Sequence, residues 1–201
     1  MLYAKRGKSK ILKRWESFLG KCFSLLPFSP NFYTLLALLF AILTGALVFL
    51  KNFLLASATF LAAGAMDLID GAVARRKKLA SKKGAYLDTV VDRYVEIIVF
   101  LSLLSVNYPC ILFPSRCWIG FFMANALMVS YVKAAGKEKE MVKSEVKGGM
   151  LERGERMALL FLVLLLSGFS KYAAMLLVIA GGVLSFITSL QRIRLVMRRA
   201  K

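Results

Sequence analysis

Residues 66–96 read MDLIDGAVARRKKLASKKGAYLDTVVDRYVE. The stretch is unusual because it places five carboxylates in otherwise apolar runs on either side of a short basic loop: Asp67, Asp70, Asp88, Asp92 and Glu96. A charge at membrane depth costs roughly 2.5–3.5 kcal/mol even on lenient insertion scales. Five acids in apolar segments therefore need compensation, and the surrounding sequence indicates what supplies it.

The chain as a whole has the composition of a membrane protein. Of 201 residues, 59% are hydrophobic, against about 45–50% in soluble domains. Six windows approach the 17–25 residues that a spanning helix needs, near 31–50, 53–74, 85–106, 110–132, 150–170 and 172–190. We therefore predict an all-α, polytopic membrane protein whose residues 31–201 form one domain of six transmembrane helices.

Basic residues predict the orientation of these helices. Lys and Arg accumulate in cytoplasmic loops, and alternate connections of the predicted spans hold 25 of them against three on the other side, Lys51, Arg116 and Lys171. Both termini and the acidic stretch are expected to be cytoplasmic, in a multi-pass protein of the cell membrane. The net charge of +18 lies at membrane edges, where anionic headgroups attract it, so nucleic acid is not an expected partner.

The N-terminal segment has a different pattern. Residues 8–26, KSKILKRWESFLGKCFSLL, place apolar side chains on one helical face and most basic ones on others, as in a helix that lies in the headgroup plane. We predict that residues 1–30 form a cytoplasmic, interfacial amphipathic helix. The first span is too long for the apolar core of a signal peptide.

Helical spacing organises the acidic residues into two stripes. Asp67, Asp70, Gly71, Ala74 and Arg75 share one face of the second span, whereas Gly84, Asp88, Asp92 and Glu96 step by four along the third. Because the basic loop is short, the two helices run antiparallel and the stripes can face each other. Four aspartates then converge on one cavity.

The residue types at this cavity favour metal chemistry. Hard oxygen ligands without His or Cys select Mg²⁺, Mn²⁺ or Ca²⁺, and four carboxylates suffice for two ions about 3.5–4 Å apart, which clamp the oxygens of a phosphoryl displacement. Gly71 and Gly84 would let a diphosphate approach the backbone, and Arg75 has a donor fork suited to phosphate. Two alternatives remain at this point, membrane-edge ion pairs and a cation-transport path.

A family resemblance narrows this choice. Residues 67–92 read D-x-x-D-G-x-x-A-R-x8-G-x3-D-x3-D, which resembles the signature of the CDP-alcohol phosphotransferase family at every fixed position. SPNFYTLLAL, residues 29–38, looks like the family's P-N-x-x-T entry to the first span. The resemblance implies a six-helix enzyme, generally a homodimer, that transfers a phosphoalcohol from a CDP-alcohol to a hydroxyl and releases CMP.

The resemblance also assigns roles to residues. Asp67, Asp70 and Asp88 would hold two Mg²⁺ or Mn²⁺ ions, with Asp92 ligating one ion and acting as general base. The CDP site would be lined by Asn31, Thr34, Gly71, Ala74, Arg75, Ser81 and Gly84. Glu96 lies outside the signature, and we assign it no catalytic role; Arg93 or Lys133 is its expected partner.

Basic residues on the predicted cytoplasmic side indicate which molecule accepts the phosphoalcohol. The pieces SYVK (130–133) and ERGER (152–156) look like the inositol-phosphate-accepting branch of the family, the phosphatidylinositol phosphate and archaetidylinositol phosphate synthases. By this resemblance the acceptor phosphate would be bound by Ser130, Lys133, Arg153 and Arg192. Alternatives are glycerol 3-phosphate as acceptor, or CDP-inositol as donor in a di-inositol phosphate synthase. The CDP-lipid is left open between CDP-diacylglycerol and CDP-archaeol.

Overall fold

A computed structural model describes Phe23 and residues 27–142 and 149–199. Within these ranges the chain forms six α-helices and no strand, apart from an isolated antiparallel bridge between Ile111 and Phe113. The helices are α1 Pro30–Phe49, α2 Phe53–Arg76, α3 Lys82–Leu103, α4 Ser115–Glu138, α5 Arg153–Ser167 and α6 Lys171–Arg199. The predicted interfacial helix over residues 1–30 lies almost entirely outside the described residues.

Four of these helices, α1, α2, α4 and α6, are long and apolar enough to cross a membrane. The charged residues that α3 carries along its first 15 positions lower its apolar character, and α5 has only 15 residues. The all-helical class is therefore confirmed for the described residues. A count of six spans, which needs α3 and α5 to cross as well, stays a prediction.

The largest differences between the helices and the predicted windows lie in α4 and α6. The helix expected over 110–132 begins at Ser115, because Pro114 lacks the amide hydrogen that a helix interior requires. The last helix continues to Arg199, beyond the expected end at residue 190. Arg192 and Arg194 consequently lie inside α6, although the predicted window ended before them.

The chain divides into two compact units. The first unit is Met1–Ala46 together with Ala58–Val99, and it contains most of α1, α2 and α3. Tyr33, Ile69 and Val73 form a buried apolar cluster in this unit, with Met66 packed against it. Since this cluster joins α1 to the acidic half of α2, it fixes the position of the carboxylates relative to the first helix.

The second unit is Leu47–Ser57 together with Phe100–Lys201. Here α4 and α5 both pack against α6. The rings of Phe100 and Phe122 meet edge to face at 4.8 Å, and a Cβ at Gly181 would lie 2.5 Å from the Phe122 ring. Glycine at position 181 therefore allows α4 and α6 to approach closely.

Candidate metal and nucleotide site

Three aspartates form the centre of the candidate site. Asp67, Asp70 and Asp88 each offer an oxygen, and these three atoms lie within 4.8 Å of one another. Asp70 is buried and the other two are half-buried. The antiparallel pairing of α2 and α3 thus brings together carboxylates that the helical spacing predicted to face each other.

Thr34 supports this cluster from α1. Its hydroxyl lies 2.7 Å from Asp70 Oδ2 in a buried hydrogen bond, and it donates the proton because the carboxylate can only accept. Such a bond restricts the rotamer of Asp70 and fixes where its second oxygen points. The sequence placed Thr34 near a nucleotide but contained no signal for this partnership.

Asp92 lies one helical turn beyond Asp88 on α3 and is buried, with 9% of its surface exposed. It is not a member of the three-carboxylate group. The predicted fourth ligand and general base therefore stays a prediction, although its place on the same helix face keeps it one turn from Asp88.

The donor set fits a hard divalent cation. Three carboxylate oxygens converge within 4.8 Å, and neither His nor Cys belongs to the group. Oxygen donors of this kind suit Mg²⁺ and Mn²⁺, which are usually bound by a few carboxylates together with substrate phosphates. Asp67, Asp70 and Asp88 are therefore the residues that would hold the metal.

A cavity of about 180 Å³ adjoins the carboxylates within the first unit. All seven residues predicted for the CDP site line it, and Asp70 and Asp88 form part of its wall: Asn31, Thr34, Gly71, Ala74, Arg75, Ser81 and Gly84. The structure thus brings one complete predicted group together beside two of the candidate metal ligands.

The two glycines keep this cavity open. A Cβ at Gly84 would lie 3.2 Å from Ser81 Oγ and 3.3 Å from Asn31 Oδ1, and a Cβ at Gly71 would lie 3.3 Å from Arg75 Nη1. Each distance is shorter than an ordinary van der Waals contact, so a larger residue would displace a polar group of the wall.

Ser81 also has a structural role in the basic loop. Its hydroxyl accepts a hydrogen bond of 3.0 Å from the backbone N–H of Gly84, which is the capping contact expected at the start of a helix. Lys77 Nζ donates to the carbonyl of Phe28 at 3.0 Å. These two contacts fix the loop between α2 and α3 over the cavity wall.

Glu96 is completely buried and forms an ion pair of 2.8 Å with Arg93, three residues earlier on α3. The expected partnership with Arg93 is therefore confirmed. For Glu96, the structure therefore supports an ion pair and not a metal ligand. In this respect Glu96 differs from the three clustered aspartates.

The four predicted acceptor residues lie on three helices of the second unit: Ser130 and Lys133 on α4, Arg153 on α5 and Arg192 on α6. Arg192 is buried and donates from Nη1 to the carbonyl of Val129, the residue before Ser130, at 2.8 Å. It also lies within electrostatic range of Glu152, the residue before Arg153. Arg192 therefore links α6 to the part of α4 that holds Ser130, and it lies near the residue that precedes Arg153.

The ERGER piece has a structural explanation as well. Glu152 and Glu155 form a capping box at the start of α5, in which the backbone N–H of Glu152 donates to Glu155 Oε2 at 2.8 Å. This cap sets the register of the helix, so that Arg153 is half-buried and Arg156 is 1% exposed. Arg156 lies close to Arg192 and is a further candidate for binding the acceptor phosphate, which the predicted group omitted. In the sequence, only its place in ERGER indicated such a role.

Comparison with known proteins decides the family. A family model described as CDP-alcohol phosphatidyltransferase matches residues 28–187, which include α1 to α5 and the first part of α6. The chain belongs to this family. The signature of eight fixed residues in α2 and α3 had predicted it, and membership in a CDP-alcohol phosphatidyltransferase family favours transferase chemistry over the cation-transport interpretation.

Two relatives in the family carry a more specific name. An archaetidylinositol phosphate synthase of Pyrococcus horikoshii is 30% identical over 178 residues, which cover 87% of this chain and 87% of that protein. An archaetidylinositol phosphate synthase of Aeropyrum pernix is 33% identical over 129 residues, covering 63% of this chain and 61% of that protein.

A solved structure has the same fold. Phosphatidylinositol phosphate synthase of Mycobacterium tuberculosis, crystallised with CDP-DAG, superposes with a TM-score of 0.75 at 23% identity, covering 91% of this chain and 94% of that one. A second crystal structure of that enzyme, with manganese and citrate, gives a TM-score of 0.79 at 22% identity over 90% and 88% of the two chains. The likeness establishes that this chain has the fold of a CDP-alcohol phosphatidyltransferase.

Proposed function

We propose that the protein is a membrane enzyme of phospholipid synthesis that transfers a phosphatidyl or archaetidyl group from a CDP-lipid to a hydroxyl of myo-inositol phosphate and releases CMP. The observation that carries this proposal is the cavity whose wall contains all seven residues of the predicted CDP site next to Asp70 and Asp88. The two relatives named archaetidylinositol phosphate synthase support inositol phosphate as acceptor.

Asp67, Asp70 and Asp88 would hold two Mg²⁺ ions, with Mn²⁺ as a substitute, and Asp92 would ligate one of them. When bound, such ions supply positive charge that stabilises the diphosphate and the departing CMP oxygen. Manganese in the mycobacterial structure supports a divalent cation. Asp92 would take the proton from the attacking hydroxyl, since the protein has no histidine to act as base.

Within the cavity, the protein's own groups would bind and orient the nucleotide diphosphate. Gly71 and Gly84 leave the backbone accessible, and the exposed guanidinium of Arg75 offers a planar pair of donors to phosphate oxygens. Asn31 and Ser81 present their side-chain oxygens next to Gly84. These contacts would position the lipid-bearing phosphorus beside the carboxylates.

For the acceptor, Ser130, Lys133, Arg153 and Arg192 would bind the phosphate of inositol phosphate. A dianionic phosphate needs several converging donors, and the contacts of Arg192 with Val129 and near Glu152 support their convergence. A glycerol 3-phosphate acceptor is the second candidate, because the same cations suit its phosphate.

The membrane arrangement is also part of the proposal. We infer six spans, an active site and both termini on the cytoplasmic side, and a homodimer in the cell membrane. The distribution of 25 basic residues against three across alternate connections supports this orientation.

The test is CMP release by purified protein with Mg²⁺, CDP-diacylglycerol or CDP-archaeol, and one acceptor at a time. We expect strong release with inositol phosphate and little with free inositol or serine. Release with glycerol 3-phosphate alone would replace inositol phosphate by the second candidate, and release from CDP-inositol without a CDP-lipid would indicate a di-inositol phosphate synthase.

Two variants test the acceptor group in the same assay. Arg153→Ala should raise the acceptor KM by about 10- to 100-fold, because a lost hydrogen bond to a charged group is worth about 1.5–3 kcal/mol, and should leave the CDP-lipid KM unchanged. Arg116→Ala, which removes an exposed arginine at the start of α4, is the matched control. An equal acceptor KM in both variants would assign Arg153 to helix capping or membrane anchoring.

A further inference from the structure

A second cavity, of about 200 Å³, lies at the turn between α1 and α2 and belongs wholly to the second unit. Its polar lining comes from Lys51, Ser105, Asn107 and Lys171, and its apolar lining from Val48, Phe49, Phe53 and Val106. None of these residues lines the candidate nucleotide cavity. Two of the three basic residues on the non-cytoplasmic side of the predicted topology therefore meet in one small space.

No acidic residue lines the cavity beside these two lysines. Every residue of the lining comes from the segments 17–66, 97–137 and 156–201, which contain no Asp or Glu. Among the described residues, neither Lys51 nor Lys171 forms an ion pair or a side-chain hydrogen bond. Two like charges that face one cavity repel each other unless an anion is present.

The backbone at Lys51 fixes the position of this residue at the end of α1. Lys51 has a φ of 58°, and the hydrogen bonds from Asn52 N to the carbonyl of Leu47 and from Lys51 N to that of Val48, both 2.9 Å, form a Schellman turn. Glycine usually occupies this left-handed position, and a side chain there costs about 1–2 kcal/mol. Glycine would build the same turn without that strain, but only lysine places an ammonium at the cavity.

Two helices also begin at the cavity, α2 with Phe53 and α6 with Lys171. Their caps, Asn52 and Ser170, accept hydrogen bonds of 3.3 Å from Leu55 N and Ala173 N respectively. The amides of the first helical residues need other acceptors, and the positive ends of both helix dipoles add to the charge of the lysines. The cavity is therefore rich in donors and positive charge, which is the chemistry of a phosphate site.

The surroundings indicate where that phosphate comes from. Large apolar side chains next to the cavity residues are mostly exposed: Phe49 at 64%, Leu50 at 76%, Leu54 at 64%, Phe169 at 78% and Tyr172 at 58%. Such side chains fit the boundary between headgroups and acyl chains, where aromatic residues are enriched. A soluble anion would not contact these apolar side chains. A phospholipid would contact both groups, because its phosphodiester can bind the lysines and its acyl chains can pack against the exposed apolar side chains.

We propose that this cavity binds the phosphodiester of a membrane phospholipid as a bound, non-substrate lipid. The turn that carries Lys51 and the basic loop after Arg76 lie at opposite ends of α2, a helix of 24 residues. In the predicted topology Lys51 and Lys171 lie on the non-cytoplasmic side, so the bound lipid belongs to the non-cytoplasmic leaflet. Its headgroup bridges the start of α2 and the start of α6 and stabilises that side of the second unit.

The experiment measures the rise in melting temperature when phosphatidylglycerol is added to purified full-length protein in detergent, without any CDP-lipid, so that its outcome does not depend on the proposed reaction. The test variant combines Lys51→Gly, which retains the left-handed turn, with Lys171→Gln. Arg116→Gln, a cation of the same side outside the cavity, is the matched control. Parallel arms contain diacylglycerol, which lacks phosphate, and inorganic phosphate.

We expect phosphatidylglycerol to stabilise the wild type and the Arg116→Gln variant equally. The double variant should need at least about 10-fold more lipid for the same rise in melting temperature, because two charged donors are lost. CMP release at saturating CDP-lipid should be unchanged in all three. Equal lipid dependence of the double variant, or equal stabilisation by diacylglycerol, would overturn the proposal. Stabilisation by inorganic phosphate alone would replace the lipid by a free anion and would also overturn it.

Discussion

Thr34→Val is the sharpest test of how the carboxylate cluster is held. The substitution keeps the shape and burial of the side chain but removes the hydroxyl that donates to Asp70 Oδ2 across 2.7 Å. A hydrogen bond to a charged group contributes about 1.5–3 kcal/mol, and outer partners of a metal ligand typically contribute about 10- to 100-fold in metal affinity. Both arguments give the same magnitude.

The assay is the Mg²⁺ concentration that gives half-maximal CMP release at saturating substrates. We expect Thr34→Val to raise this concentration by about 10- to 100-fold and to recover much of its rate at high Mg²⁺, because the carboxylate itself is still present. Thr34→Ser, which retains the donor, should remain close to the wild type.

Thr44→Val is the matched control. Thr44 is also a buried threonine of α1, but its hydroxyl bonds to the carbonyl of Phe40 and to Thr59, away from the carboxylates. The same Mg²⁺ dependence for Thr34→Val and Thr44→Val would refute the role of the hydrogen bond in orienting Asp70.

Three further predictions concern residues around the cavity and on α3. Gly84→Ala should raise the CDP-lipid KM, because its Cβ would crowd two polar groups of the wall, whereas Gly64→Ala, whose Cβ meets nothing within 4 Å, should leave the KM unchanged; indistinguishable steady-state kinetics would contradict this. Asp92→Asn should lower kcat by about 100-fold or more while isothermal titration shows unchanged CDP-lipid binding, and near-normal turnover would exclude it as general base. Glu96→Ala should destabilise the protein by about 3 kcal/mol, since it removes the fully buried carboxylate that Arg93 contacts at 2.8 Å; an unaltered melting temperature with lost activity would instead indicate a catalytic role.

Much of the candidate site could be predicted from the spacing of residues along single helices. The positions of Asp67 and Asp70 on one face of α2, and of Asp88 and Asp92 on one face of α3, follow from 3.6 residues per turn. A connection from Arg76 to Lys82 is too short for anything but antiparallel neighbours. The cluster of carboxylates and the cavity proposed for CDP were therefore predictable, because both are built mostly from neighbouring segments of the chain.

Contacts between distant segments were not predictable in this way. Thr34 and Asp70 are 36 residues apart, and Arg192 bonds to a carbonyl 63 residues away. Periodicity specifies which face of a helix is polar, but it does not specify which residue of another helix lies opposite. The burial of Arg156, omitted from the predicted acceptor group, has the same cause, since it depends on how α5 packs against α6.

The sequence by itself determined the helical class, the family and the facing stripes of acids, because hydrophobic patterning and helical spacing are local properties. The three-dimensional packing was needed to show that three of the four aspartates cluster within 4.8 Å and that Thr34 supports Asp70. It also brought Lys51 and Lys171, from distant parts of the chain, to one cavity. The physical reason is that such groupings depend on the packing of whole helices, and packing is a long-range property that spacing along one helix does not encode.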